Sequence, residues 1–534
     1  MNSSEVKKWL YLHTWTGLVA GMALFIAFYA GSLTVFFHEL EVWDSYRLDP
    51  VMEQSYDDAQ ILFDRVIQQD PLAKPNMRLY PSRPGHPENI VRWYERLENG
   101  NYEPHEYRLS EETKLNDAVD NAHLASFIYR LHYTAGLPSS FGIYALGIIC
   151  LIYGMALVSG VLIFIPNFLK DLFIVRGGRN KKRFWLDAHN VVGVLSLPWH
   201  IMFAWSSVVL CIGVFFLMPF QLLVFDEDVQ KIFGSELGRA PSLNASGDSA
   251  SVLPVAEIIR VANKSAPGIS PTQLRYTNVG DRNGMVVVYG TVDSSTLSTN
   301  ANVSMNSVTG EVLHVSHPES ASPGATFYNG LIALHYVSFG GLVAKWIYFL
   351  LGLLGAFMFY TGNLLWIETR RKRRQFQQPK WSLFLARLNS GVCIGCMAGI
   401  SFAFLVSRAF SEFENRGELT ELAYFLVFFG AIVWSYIRPV ALGTRDLLFV
   451  CALGTGLIPV FDGVFIDLPI WLSLAKGDWI LFLVDALAVV GSIIFWQMGR
   501  GVAKRARSSD RNSVWSYPVD SADESAVIRK PTFG

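Results

Sequence analysis

Apolar residues along this chain gather in long blocks. A hydrocarbon core about 30 Å thick takes roughly 20 apolar residues as helix. Eight blocks reach or approach that length: 14–37, 141–165, 190–218, 341–367, 388–407, 422–437, 446–466 and 479–499. The sixth is short, and the seventh and eighth hold Asp462 and Asp485. The first is too long for the apolar stretch of a secretory signal and lacks a small-residue cleavage site. It reads as an uncleaved anchor.

Two long polar segments, 38–140 and 219–340, interrupt the blocks. Each opens on an amphipathic pattern that predicts a helix, YDDAQILFDRVIQQ at 56–69 and PVAEIIRVANKSA at 254–266. Strand-like runs follow. They are MRLY, NIVRWYERL and YEPHEYRL in the first segment, then QLRYTNVG, GMVVVYGTV and NVSMNSVTGEVL in the second. Each segment is therefore expected to be a small α+β module.

The blocks also repeat in kind. The first begins LHTWTGLVAG and the third AHNVVGVLSL, while the second follows LHYTAG and the fourth LHYVSFGG. Block, module, block occurs twice in the same direction. This predicts two parallel copies about a pseudo-twofold axis along the membrane normal.

Charge sets the orientation. Only 17% of residues are charged and the net charge is −1, so no global field favours a nucleic-acid partner. Basic residues crowd the connection 170–183 (Lys170, Arg176, Arg179, Lys181, Lys182, Arg183) and the connection 370–387 (Arg370, Arg371, Lys372, Arg373, Arg374, Lys380, Arg387). The tail adds Lys504, Arg505 and Arg507. By the positive-inside rule these three regions are cytoplasmic. Both termini then lie inside and both modules outside.

The expected fold class is an α-helical membrane protein of about eight transmembrane helices, in contact with a lipid bilayer and carrying two small α+β modules. The expected division is a first span (1–40), module 1 (41–130), spans two and three (131–218), module 2 (219–330), span four (331–369), a basic loop (370–387), a four-helix bundle (388–500) and a tail (501–534). All five cysteines fall in apolar runs, so no disulfide is expected in the modules. CIGC at 393–396 reads as small-residue helix packing rather than a redox or metal pair.

The repeat, the histidine-containing block starts and the strand ending SVTGEVL at 307–313 resemble the PepSY-associated transmembrane helix family. These are bacterial inner-membrane proteins often linked to iron and siderophore use. The resemblance covers roughly residues 5–370 and leaves the last four blocks as an added bundle. Some members are similar in being di-haem reductases of ferric siderophores. The resemblance thus implies PepSY-like periplasmic modules, an inner-membrane location and ferric-siderophore reduction.

Of eleven histidines, four stand at block starts: His13, His132, His189 and His335. Glycine follows four residues later at Gly17, Gly136 and Gly193, and one residue later still at Gly340. Four residues make about one helical turn on one face, where glycine would leave room for a porphyrin edge. Imidazole is a standard axial ligand, and no C-x-x-C-H is present, so the expectation is two haem b groups. The topology pairs His13 with His189 at inner ends and His132 with His335 at outer ends.

His200 lies close to three turns after His189, roughly 16 Å deeper. It could ligate the second haem or a third, or donate to a carbonyl freed by Pro198. His38 reads as an interface anchor, and His86, His105, His314 and His317 as surface residues. Asp462, Asp485 and Arg408 could form interhelical hydrogen bonds, relay protons or bind a quinol headgroup.

The expected function is outer-sphere reduction of a periplasmic ferric chelate docked on the modules, with quinol or a cytoplasmic reductant as donor. No G-x-G-x-x-G follows a strand, which argues against a built-in nucleotide domain. Two rivals stand beside this reading, a siderophore or metal transporter and a haem-free regulatory or binding protein.

Overall fold

The computed structural model describes residues 3–46, 53–83, 87–96, 102–109, 115–117, 123–167, 176, 181–223, 243–372, 375, 377–413, 415–508 and 512–516. Most of the basic connection 170–183 lies outside these residues, as do His86, Arg373, Arg374 and the tail after 516. The chain forms two compact units. One comprises Met1–Tyr46, Ala122–Ile212 and Trp346–Gly534, the other Arg47–Asn121 and Gly213–Lys345.

The helices are α1 (Ser3–Thr34), α2 (Phe37–Asp44), α3 (Tyr56–Gln69), α4 (His123–Thr134), α5 (Ser139–Phe164), α6 (Lys181–Leu195), α7 (Leu197–Leu223), α8 (Val255–Ser265), α9 (Pro323–Tyr336) and α10 (Gly341–Thr369). Then follow α11 (Lys380–Ala409), α12 (Arg416–Ile437), α13 (Val440–Phe465), α14 (Ile470–Lys476) and α15 (Trp479–Ser508). Among the described residues seven are long and apolar enough to cross a membrane, or eight if the α6–α7 pair is one span. The protein is thus a multi-pass membrane protein. The short sixth block gains length because its helix starts at Arg416, before the apolar run.

The third block differs from expectation. It breaks at Ser196, and α6 and α7 meet at 69°. Pro198 sits in the first turn of α7, where its missing N–H costs nothing and its ring cannot clash with a preceding helical turn. The break removes the basis for placing His189 and His200 on one helical face.

In α11 a π turn spans Ser390–Ile394, and Cys393 and Cys396 are fully buried. A Cβ added at Gly391 or Gly395 would fall 2.8 Å from Ile432 or Ala431 of α12. CIGC is a close helix contact made possible by small residues, as its sequence suggests.

The second unit holds one eight-stranded antiparallel sheet. Its strands are β1 (Asn76–Tyr80), β2 (Ile90–Arg96), β3 (Tyr102–Leu109), β4 (Leu115–Asp117), β5 (Ser270–Thr277), β6 (Met285–Thr291), β7 (Asn300–Asn306) and β8 (Val312–Ser316). The order is β4-β3-β2-β1-β5-β6-β7-β8. The two expected modules are therefore halves of one sheet, joined where Met77 faces Tyr276 and Leu79 faces Leu274. The run NVSMNSVTGEVL is two strands, because Gly310 takes φ +73° and turns the chain between them.

Each half contributes one helix with the same buried stripe, Ala59, Leu62, Phe63 and Val66 on α3, and Val255, Ile258, Ile259 and Ala262 on α8. That i, i+3, i+4, i+7 spacing is one helix face. These stripes share a core with Leu79, Trp93, Val286 and Val303 of the sheet.

Candidate cofactor site

His13 of α1 donates from Nδ1 to the Ala156 carbonyl of α5 at 2.8 Å. One turn further along α5 is Gly160, where an added Cβ would lie 3.0 Å from His13 Cε1. The second copy repeats this. His189 of α6 hydrogen-bonds the backbone of Met358 in α10, with Thr361 Oγ1 3.4 Å from Nδ1. One turn on, a Cβ at Gly362 would lie 3.5 Å from His189 Cε1. Ala156 and Met358, like Gly160 and Gly362, stand equally far from their helix starts at Ser139 and Gly341.

The His13 and His189 ring centres are 6.3 Å apart, with planes inclined at 73°. A carbonyl can only accept, so His13 carries its proton on Nδ1 and keeps a lone pair on Nε2. A metal sits about 2 Å from an imidazole nitrogen, so His13 and His189 are close enough that both could hold one. The spacing, the fixed tautomer and the glycine clearance all fit an iron held between these rings.

His132 follows the same rule at the other end of α1. Its Nδ1 donates to the Ala27 carbonyl at 2.8 Å, and a Cβ at Gly31, one turn on, would fall 2.5 Å from that nitrogen. His335 belongs to the sheet-bearing unit and lies in the last turn of α9, its ring 5.4 Å from that of Tyr336.

The predicted glycine spacing holds as helix geometry only for His13 with Gly17 and His189 with Gly193. Gly17 has nothing within 4 Å of a built Cβ, whereas one at Gly193 would meet Met358 Sδ at 3.4 Å. Gly136 is not on the face of His132. The helix α4 ends at Thr134, and Ala135 and Gly136 take φ +53° and +84°. Likewise Val337 and Gly340 take φ +49° and +67° after α9. Both LHY motifs thus close a short helix, and the glycine makes the left-handed turn into the next span.

His200 breaks the symmetry. It is 1% exposed, bonded through Nδ1 to the Tyr153 hydroxyl, and its Nε2 has no partner. Phe28 and Phe359 flank it at 5.7 and 6.3 Å. The carbonyl donation expected from Pro198 is not what holds it. Gly355 lies against it, a Cβ there falling 3.2 Å from Cε1.

The remaining histidines have local roles. His105 stacks on Trp93 at 4.3 Å and reaches Glu95 at 3.2 Å. His317 Nδ1 accepts from the Glu319 amide. His38 stands 3.9 Å from Glu41. His314 lies in β8 opposite Ser304, with its Nε2 buried. Across the sheet Arg275, Arg78 and Arg92 stand side by side on β5, β1 and β2. Arg78 lies over Tyr94 at 5.4 Å, and Arg92 pairs with Glu106.

The acids of the last helices join a second buried site. Arg408 donates from Nε to Asp462 at 2.6 Å and from Nη2 to the Trp43 carbonyl at 2.8 Å, with its guanidinium 4.0 Å over the Trp43 ring. Trp43 Nε1 donates to the other Asp462 oxygen at 2.8 Å. Arg416 pairs with Asp44, which also accepts from Ser407 Oγ at 2.5 Å and the Leu124 amide at 2.9 Å.

Sequence reasoning missed Gly31, Gly160, Gly355 and Gly362, which meet histidines of other helices. One signal was available. Ser159-Gly160 and Thr361-Gly362 fall at the same place in the two copies. It missed His123 too, whose ring lies 2.6 Å from where a Cβ at Gly417 would stand.

Over 278 residues the chain is 22% identical to an uncharacterised protein of Pseudomonas aeruginosa, a stretch covering 50% of this chain and 67% of that one. Residues 10–369 match the PepSY-associated TM region. That match takes in both copies of the repeat, the sheet and every histidine described above, and the chain belongs to the PepSY-associated transmembrane family.

Proposed function

We propose that this protein is a di-haem b electron-transfer protein of the bacterial inner membrane that reduces ferric chelates, ferric siderophores above all. The observation that carries the reading is the 6.3 Å approach of His13 and His189, each ring anchored to a backbone on a different helix. His13 and His189 would hold one haem, and His132 would help to hold the other. Haem b held there supplies one-electron transfer from quinol or a cytoplasmic reductant to Fe(III).

The chain's own part is positional. Carbonyls of Ala156 and Ala27 fix the tautomers of His13 and His132, as outer-shell partners of metal-binding histidines do. Gly160, Gly362 and Gly31 clear the ring positions. The row of Arg275, Arg78 and Arg92, with Tyr94 and Tyr80, offers an anionic chelate charge and aromatic surface. The basic connections favour a periplasmic position for the sheet and cytoplasmic termini.

A pyridine haemochrome assay of protein made with ample haem should find near two haem b per chain. An impermeant ferric chelate should then reoxidise the dithionite-reduced protein from the sheet-bearing side. A colourless protein would overturn the reading, leaving the transporter or the binding protein.

A further inference from the structure

The second buried site holds one acid more than its cations can balance. Asp44, Asp462 and Asp485 are each at most 2% exposed, as are Arg408 and Arg416. Arg416 answers Asp44 and Arg408 answers Asp462. Asp485 has no cation of its own, and neither of its oxygens accepts from a donor. The Asp462 carboxyl lies within hydrogen-bonding reach of it. Two carboxylates cannot share a hydrogen bond unless one carries a proton. An unpaired buried carboxylate would cost several kcal/mol.

A second observation completes the geometry. Arg408 Nη1 is buried and has no acceptor. One cluster thus contains an acid without a donor and a guanidinium N–H without an acceptor.

We propose that Asp462 and Asp485 form a proton-binding site inside the C-terminal helices, with one proton held between the carboxyls when loaded and Arg408 Nη1 turning to Asp485 when it is released. An asparagine would satisfy a merely structural hydrogen bond at 485. Aspartate is the residue that can let the proton go. Another acid stands nearer the start of the same helix. Asp478 lies two turns before Asp485 on nearly the same face, about 10 Å away. It accepts from the Tyr46 hydroxyl at 3.0 Å.

Helix α15 packs against α2, α13 and α14, and its far end reaches α10, where Arg505 donates to Glu368. From α13 Asp462 faces the site, while Arg445 and Asp446 lie near the helix's far end, paired with each other. On α2, Asp44 is taken by Arg416, His38 lies near Glu41, and Glu39 stands on the turn before them. Lys476 of α14 is exposed. Arg408 comes from α11.

The inference is independent of haem, since none of these residues touches the histidine sites. The test uses the full-length protein in lipid nanodiscs, followed by infrared difference spectroscopy between pH values. Wild type should show a protonated-carboxyl band that vanishes as pH rises. Asp485→Asn, which keeps the shape and neutral state, should lack it, and Asp446→Asn should retain it. In parallel, dicyclohexylcarbodiimide labelling of the wild type, mapped by mass spectrometry, should mark Asp485 and fade as pH rises, which needs no variant to fold. The idea falls if the same band change persists in Asp485→Asn. It also falls if the wild type shows neither the band nor labelling at Asp485.

Discussion

Two of the places where the helical unit buries polar groups are built on opposite plans. Around Arg408 and Arg416 the groups answer one another: guanidinium to carboxylate, indole to carboxylate, hydroxyl to carboxylate. Around His13 and His189 each ring spends one nitrogen on a backbone and stands 6.3 Å from the other, with glycine beside it. The first plan is closed except at Asp485 and at Nη1 of Arg408. The second sets neutral rings against backbone and glycine, with no opposite charge in answer. Buried polar atoms are normally satisfied, and the two places reach that by different means.

Breaking the closed plan should have the largest effect. Arg408→Ala leaves Asp462 buried without its cation and strips the Trp43 carbonyl of a donor. Removing one partner of a buried pair costs about 3–5 kcal/mol, a large share of a typical domain's stability. Size-exclusion chromatography of the detergent-solubilised variant should show most of the folded peak lost. A variant as stable as wild type would mean that water reaches the pair.

Breaking the open plan should cost the ligand rather than the fold. His13→Ala and His189→Ala should each leave about one haem of two, with the same redox transition missing from both titrations. His132→Ala should remove the other transition. His200→Ala should keep both haems, because its Nδ1 is held by a tyrosine hydroxyl and not by the repeated carbonyl. If His200→Ala loses a haem and His132→Ala does not, the deep histidine is a ligand and the repeat has misled.

How far the sequence carries follows from the same contrast. The spans, the two-copy order and the amphipathic helices are local patterns, and hydrophobic spacing reads them directly. The bend at Ser196 is local too, yet an unbroken apolar run conceals it, and only Pro198 hinted at it. The joining of β1 to β5 is invisible, since neither half shows that its edge strand will meet the other's. The histidines are legible because a titratable ring at a span end is conspicuous. Their glycine neighbours lie on other helices, and periodicity along one helix says nothing about what a second helix brings. The offset at the first block, His13 to Gly17, pointed at open space, while that at the second block, His132 to Gly136, was a turn.

The smallest effect belongs to another polar site, on the surface of the sheet-bearing unit, which is closed mainly by backbone amides with the Ser246 hydroxyl beside them. Asp281 accepts from the amides of Ser246 at 2.9 Å, Asn283 at 2.7 Å and Gly247 at 2.7 Å. These bonds, that from Ser246 foremost, hold its carboxyl below the usual 3.8, at about 2. A carboxyl lowered on folding stabilises the folded form fully above its unfolded value, and the gain is lost as pH falls through the folded value. Protection of the Ser246, Gly247 and Asn283 amides against hydrogen exchange should therefore hold above pH 4 and decline toward pH 2. In Asp281→Asn the decline should vanish and protection should be low throughout, because a neutral amide oxygen is the weaker acceptor. The group is exposed, so solvent screens it and global melting should barely move. Protection that is flat from pH 4 to pH 2 in the wild type would mean that the loop is held by its backbone shape and that the carboxylate adds nothing.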